Sequence, residues 1–263
     1  MAKINFENGA HRAEVLREIS EDEIHFLSSL GGHVHKYFHL KEIYQMAIDS
    51  GEELSEYLVG LKSITDNKGK EIHLKGNRLI ANYCYFIGMF IDYVEKTLSS
   101  YGKREKELFR TYSSHLYDTS FEYRFIVRLR NYITHYAFPF SIVNKTFDGT
   151  TLKMGKRHLL DFKKWNTVRD DIERLDEEIN FFPFIHPMNI NLTAMLLKIQ
   201  YIIAPYVLDK YEELTEFRNA NNLIHPALVQ YENIDKFKEG KFNITPFIFD
   251  DFINFIKEIQ ILK

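Results

Sequence analysis

Apolar positions recur at helical spacing through most of this chain, and the breaks between periodic runs are short. Ser20-Glu21-Asp22-Glu23 reads as a helix start, with Ser20 as cap and Glu23 completing a capping box. The pattern predicts a helix from there to about Ser50, with a break at Gly31-Gly32, and a second piece from Glu52 to Lys62. Residues 3–19 are compatible with an extended segment or a short hairpin. Thr65 to Gly76 is polar and punctuated by glycine, so it reads as a loop. Three helices then follow closely, over Arg78–Ser99, Lys103–Tyr117 and Ser120–Ala137, with Pro139 as a stop. Short connections between long amphipathic helices imply antiparallel neighbours, hence a bundle.

The texture changes after Pro139. Ile142–Phe147 and Thr151–Met154 flank Asp148-Gly149 and predict a β-hairpin. A charged helix is expected over Phe162–Ile179, then a proline-bounded aromatic connector from Phe181 to Pro187. A long helix over Leu192–Arg218 and a final one over Ile244–Ile261 complete the pattern. The expected class is mainly α, a helical bundle with a small hairpin insertion. Its expected parts are an N-terminal helical segment (1–76), core helices (77–140), and the hairpin with the C-terminal helices (141–263) in the same compact body.

Composition narrows the options. With 22 Phe and 16 Tyr, much of the core volume must be aromatic. A net charge of -3 argues against a general nucleic-acid coat protein but leaves room for a local basic patch. The single cysteine, Cys84, excludes an intramolecular disulfide and a cysteine-rich zinc site, and fits a reducing cytoplasm. No apolar signal-peptide core is found near the N-terminus. The most apolar run, Leu79–Val94, is shorter than the roughly 20 residues that span a bilayer, so no membrane association is expected.

The third helix of the trio carries the candidate chemistry. At about 100° per residue, Phe121, Phe125, Leu129, Tyr132, Ile133 and Tyr136 fall within one arc of roughly 120°. Arg124, Arg128, Asn131 and His135 share another arc of about 60°. Arg130 lies about 140° from His135. Guanidinium groups hold phosphate in a fork, and a histidine can move protons near neutral pH. A charge run of this kind is otherwise a solvated face or a set of ion pairs.

The run Arg128-Leu129-Arg130-Asn131-Tyr132-Ile133-Thr134-His135-Tyr136, followed by Phe138-Pro139, resembles the signature of HEPN-domain proteins: Arg, a polar residue, then His near the end of a bundle helix. The resemblance covers about residues 78–140. It implies a helical bundle, usually a homodimer, whose two signatures face one cleft and cut RNA without metal. Many relatives are toxins or antiphage effectors, so an antitoxin or regulatory partner protein is also implied. By this resemblance Arg130, Asn131 and His135 would be catalytic. The wheel favours Arg124 and Arg128 as substrate-binding residues beside Tyr136. Asp92, a lone charge in the most apolar helix that needs a partner such as an arginine of the signature helix, and Glu122, on the apolar arc, are supporting candidates. Neither cofactor nor metal is expected. Some relatives carry His-x-Tyr, whereas Tyr136 here follows His135 directly. The bare pattern is short, and Arg110 to His115 also matches it.

Two further readings stand beside the ribonuclease: a non-catalytic HEPN-like module that binds nucleotides or a protein, and a bundle of unrelated function. A second Arg-Asn-His set, Arg218-Asn219 to His225, reads as a capped helix end or a second site. His33, His35 and His39 cluster on a predicted helix, and His35 and His39 are spaced i, i+4 as two zinc ligands would be, but no third ligand is evident, so they read as surface or core residues. Basic clusters at Lys103-Arg104-Lys106 and at Lys153, Lys156, Arg157, Lys163 and Lys164 could track an RNA backbone.

Overall fold

The capping box forms as the sequence predicts. The Ser20 amide donates to Glu23 Oε2 at 3.0 Å, and the Glu23 amide donates to Ser20 Oγ at 3.2 Å. A computed structural model describes residues 2–7, 10–15, 18–63, 68–147, 149–221, 226–230, 232–241, 243–245 and 249–260. In chain order its elements are β1 (Ala2–Glu7), β2 (Ala10–Val15), α1 (Glu21–Gly60), α2 (Gly69–Ser99), α3 (Lys103–Thr119) and α4 (Phe121–His135). They continue with β3 (Phe140–Thr146), β4 (Gly149–Gly155), α5 (Lys156–Leu160), α6 (Val168–Glu173), β5 (Glu178–Ile179) and α7 (Phe182–Ala220). The last are β6 (Pro226–Gln230), α8 (Ile234–Lys238), β7 (Asn243–Thr245) and α9 (Phe249–Gln260). Short 3₁₀ turns occupy Leu61–Ser63 and Lys163–Trp165.

The chain is mainly helical and divides into two compact units: His39–Ile202, and the residues up to Phe38 together with those from Ile203 onward. The divisions at 76 and 140 expected from sequence are not the ones found. Both actual divisions fall inside long helices, α1 and α7, where no linker composition marks them.

In the 39–202 unit, α2, α3 and α4 are joined by Ser100-Tyr101-Gly102 and by Ser120 alone, and they pack against one another. The three-stranded antiparallel sheet, in the order β3-β4-β5, packs against α2 and the 61–63 turn. The expected hairpin is present with Thr146 opposite Gly149, and β5 extends it; Asp148 lies outside the described residues. Trp165 anchors an aromatic core. It stacks on Phe125 and Tyr132 with centroids at 5.8 and 5.6 Å, meets the edge of Phe162, and donates its indole N–H to the Leu159 carbonyl at 2.6 Å.

Several expected breaks are absent. Helix α1 runs through Gly31-Gly32 and Gly51 without interruption. A Cβ at Gly51 would stand 2.7 Å from the Tyr83 ring, so this glycine admits a close neighbour rather than ending the helix. The predicted loop 65–76 is largely the first turns of α2; residues 64–67 lie outside the described residues. Gly76 faces Leu152, where a Cβ would come within 2.1 Å. The connector Phe181–Pro187 is instead the start of α7. Pro183 falls in a first turn whose amides have no helical partner in any case. The charged helix expected over 162–179 is replaced by the 3₁₀ turn, α6 and β5, because Trp165 turns inward and the backbone reverses at Asn166.

Helix α7 is the one described helix long and apolar enough to cross a membrane by length and composition. In this fold Met188, Leu192, Met195 and Ile199 are fully buried, as in a core helix. Burial pushes the Cys84 thiol up, so it stays protonated.

In the other unit, four strands in the order β2-β1-β6-β7 form an antiparallel sheet. The hairpin alternative for residues 3–19 is therefore the one realised, while β6 and β7 were not anticipated. The predicted last helix begins at Phe249 rather than Ile244, because Asn243–Thr245 belongs to β7. Within this unit Tyr37 donates to Glu258 at 2.6 Å, and its ring meets the edge of Phe255.

Asn77 fixes the chain just beyond the candidate site. Its amide donates to the Phe140 carbonyl at 2.9 Å and accepts from the Phe140 amide at 3.0 Å, as a paired strand would. Asn77→Ala strands both buried backbone groups. A loss of about 2 kcal/mol of stability is expected in urea melts; an unchanged midpoint would mean the pair contributes nothing.

Candidate functional site

Helix α4 starts at Ser120, whose hydroxyl accepts from the Tyr123 amide at 3.2 Å and from Asn191 Nδ2 at 2.9 Å. The same hydroxyl donates to Glu122 at 3.1 Å, so Glu122 works at the helix start and not among the other candidates. Tyr123, Phe125, Ile126, Leu129 and Tyr132 are buried. The core-facing arc is thus wider than the wheel suggests and includes Tyr123 and Ile126, while Tyr136, beyond the helix end, is half exposed.

The opposite face of α4 borders an open cleft of about 340 Å³ lined by Arg128, Asn131, His135, Phe162, Lys164 and Asn166. The first three are residues the wheel placed on one face. The last three come from the irregular segment after α5, where the sequence predicts a helix. The lining holds two cations, two amides and an imidazole, and no carboxylate. Arg128 donates from Nε to the Tyr117 hydroxyl at 3.1 Å, and its terminal nitrogens make no hydrogen bond among the described residues. Among the described residues, the side chains of Asn131, His135, Lys164 and Asn166 are not engaged in hydrogen bonds or ion pairs. Such a cleft is suited to an anion that also carries hydrogen-bonding groups.

Asn166 is the one non-glycine residue with positive φ among the described residues, at φ 53° and ψ -129°. These angles match the first central position of a type II′ turn, which glycine normally fills. An asparagine held there costs about 1–3 kcal/mol.

Arg130 is placed elsewhere. It lies along α2, with its guanidinium over the Tyr85 ring at 5.7 Å and NH1 donating to Asp92 at 3.1 Å. Gly88 makes the seat: a Cβ there would come within 2.5 Å of the Arg130 side chain. Tyr85, Gly88 and Asp92 share one face of α2, so Arg130 ties α4 to α2 and does not line the cleft. Asp92 does find an arginine of α4, as its place in an apolar helix suggests, yet it is largely exposed.

Arg124 is also committed. It forms a forked pair with Asp171 of α6 at 2.7 and 3.1 Å, both side chains mostly buried. These bonds raise the Arg124 pKa further. The group joins α4 to α6 instead of meeting a ligand. Tyr136 packs against Tyr132, His158 and Phe162, the last of which is a cleft wall. Burial drives the Tyr132 hydroxyl well above the ordinary tyrosine range, so it is not a proton-transfer group.

The remaining candidates are dispersed. Arg110, of the second Arg-to-His match, is held by Glu95 at 3.0 Å and by Glu107. Arg218 lies over the Phe249 ring at 3.8 Å, and His225 lies outside the described residues. His35 faces Asp251 and His39 faces Glu42; no group of metal-ligating residues is found among the described residues. Lys106, Lys153, Lys156 and Arg157 each have a carboxylate partner. Of the basic clusters, Lys164 is the member that enters the cleft. Asn166 and Phe162 carry no sequence signal as site residues, because their placement depends on the fold of the 161–167 segment.

Comparison with protein-family models, with curated proteins and with solved structures gives no match.

Proposed function

We propose that this protein is a metal-independent endoribonuclease whose active centre is the α4 cleft. The observation that carries the reading is the convergence of His135, Asn131, Arg128 and Lys164 on one acid-free cavity of about 340 Å³. The resemblance of Arg130-Asn131 through His135 to the HEPN signature supports it.

RNA carries its own nucleophile. His135 takes the proton of a 2′-hydroxyl, the 2′-oxygen bonds to phosphorus, and the bond to the 5′-oxygen breaks. Arg128 and Lys164 neutralise charge building on the non-bridging oxygens, and Asn131 orients the phosphate. The departing 5′-oxygen takes a proton from an imidazole across a homodimer cleft, the second copy's His135. The products are a 2′,3′-cyclic phosphate and a 5′-hydroxyl. A toxin or antiphage role, held in check by a partner protein in the cytoplasm, fits this chemistry.

The test is incubation of purified protein with total RNA, with end-group analysis of the fragments. Arg128→Ala is expected to lower cleavage by about 10²-fold or more. Arg130→Ala should cost less than tenfold in rate and, because its partner Asp92 is largely exposed, about 1 kcal/mol in stability. The reverse order would place the reacting phosphate on the α2 side and remove the cleft from the mechanism. The seating of Arg130 on Asp92 also favours the second reading, a module that binds nucleotides without cutting. Intact RNA alongside measurable oligonucleotide affinity would select it.

A further inference from the structure

We infer that Asn166 is a specificity residue: its amide reads the edge of one unpaired nucleobase in the α4 cleft while the adjoining phosphate sits on Arg128 and Lys164. The inference rests on the ribonucleotide reading of the cleft and adds to it a residue and a role.

Three observations lead to it. First, the lining of the open cleft is divided by chemistry: the Arg128 and Lys164 cations suit a phosphate and the Asn131 and Asn166 amides suit hydrogen-bonding groups, with the Phe162 ring buried behind them. Phosphate contacts position a nucleic acid without choosing among bases, so selection must come from groups that hydrogen-bond a base edge. Second, the Asn166 amide is uncommitted among the described residues and presents a donor beside an acceptor, the pattern an asparagine uses to grip a base edge with two bonds. Third, Asn166 occupies a backbone conformation suited to glycine. Glycine would relax the turn at no cost to Trp165, whose indole is held by Leu159 and not by Asn166. The Trp165 hydrogen bond thus does not call for asparagine at this position, while the side chain held there lines the cleft.

Asn131 differs from Asn166 in this respect. It stands on regular helix beside His135, where it serves the phosphate, whereas Asn166 comes from the facing segment.

The experiment uses a 2′-fluoro oligoribonucleotide, which cannot be cut by 2′-oxygen attack, and a copy with one abasic position. Affinities are measured for the full-length wild type, Asn166→Gly and Asn166→Ala. Wild type should lose at least tenfold in affinity when the read base is removed. Both variants should bind the intact oligonucleotide at least tenfold more weakly, and base removal should then cost them little further. Asn166→Gly should melt at the same temperature as wild type or higher, which a structural asparagine would not allow.

Equal affinity of wild type and both variants overturns the inference, as does an abasic penalty that survives in the variants. A wild type that cleaves RNA with unchanged base preference in Asn166→Gly leaves the ribonuclease standing and removes this role. A wild type that binds as described but never cleaves keeps the role and removes the ribonuclease. No binding at all removes both.

Discussion

Replacing His135 with alanine is expected to lower RNA cleavage by about 10²–10⁴-fold, the range for losing a positioned general base. The imidazole is exposed at the last turn of α4 and carries no packing load, so stability should stay within about 0.5 kcal/mol of wild type. The variant should therefore fold, keep its melting temperature and retain oligonucleotide affinity, because Arg128 and Lys164 still supply the cationic surface. His135→Ala combined with Arg128→Ala should cost less than the product of the single losses, since the two act on one transition state. In a growing culture the same substitution should relieve any growth arrest caused by the wild type. Undiminished cleavage by purified His135→Ala would remove the α4 cleft as the catalytic centre.

Gly149→Ala should produce the largest loss of stability. Gly149 opens β4 at φ 116°, where an L side chain is strained, and a Cβ there would lie 2.0 Å from the Lys62 carbonyl oxygen. The Lys62 atoms it would meet are backbone and cannot yield cheaply. Strain of about 1–3 kcal/mol adds to overpacking of similar size, giving roughly 2–6 kcal/mol. Urea denaturation should show a lower midpoint, and amide exchange should show early opening of β3 and β4. A midpoint within experimental error of wild type would mean that the 61–63 turn moves freely away from the hairpin.

The comparison of these two residues shows where sequence reading succeeds. His135, Asn131 and Arg128 could be grouped from spacing alone, because one regular helix converts residue number into angle. The wheel also anticipated that Arg130 points elsewhere, and the structure supplies the destination on Tyr85, Gly88 and Asp92. Gly149, by contrast, is legible only as a turn residue. That the Lys62 backbone presses on it depends on a contact between segments nearly ninety residues apart in sequence.

What the sequence alone determined follows from periodicity and local capping: a mainly helical chain, the helices α3 and α4, the β3–β4 hairpin, the Ser20 cap and the polar face of α4. What only the tertiary structure decided follows from long-range packing. Gly31, Gly51 and Gly76 read as breaks yet lie within helices, since burial of the flanking apolar stripes outweighs the cost of roughly 1 kcal/mol per glycine. The charged stretch after Phe162 reads as a helix yet folds as turns, since Trp165 must reach both the aromatic core and the Leu159 carbonyl. That detour sets Lys164 and Asn166 opposite Asn131 and His135. One half of the candidate site was thus written in helical spacing, and the other half came into being only when a tryptophan was buried.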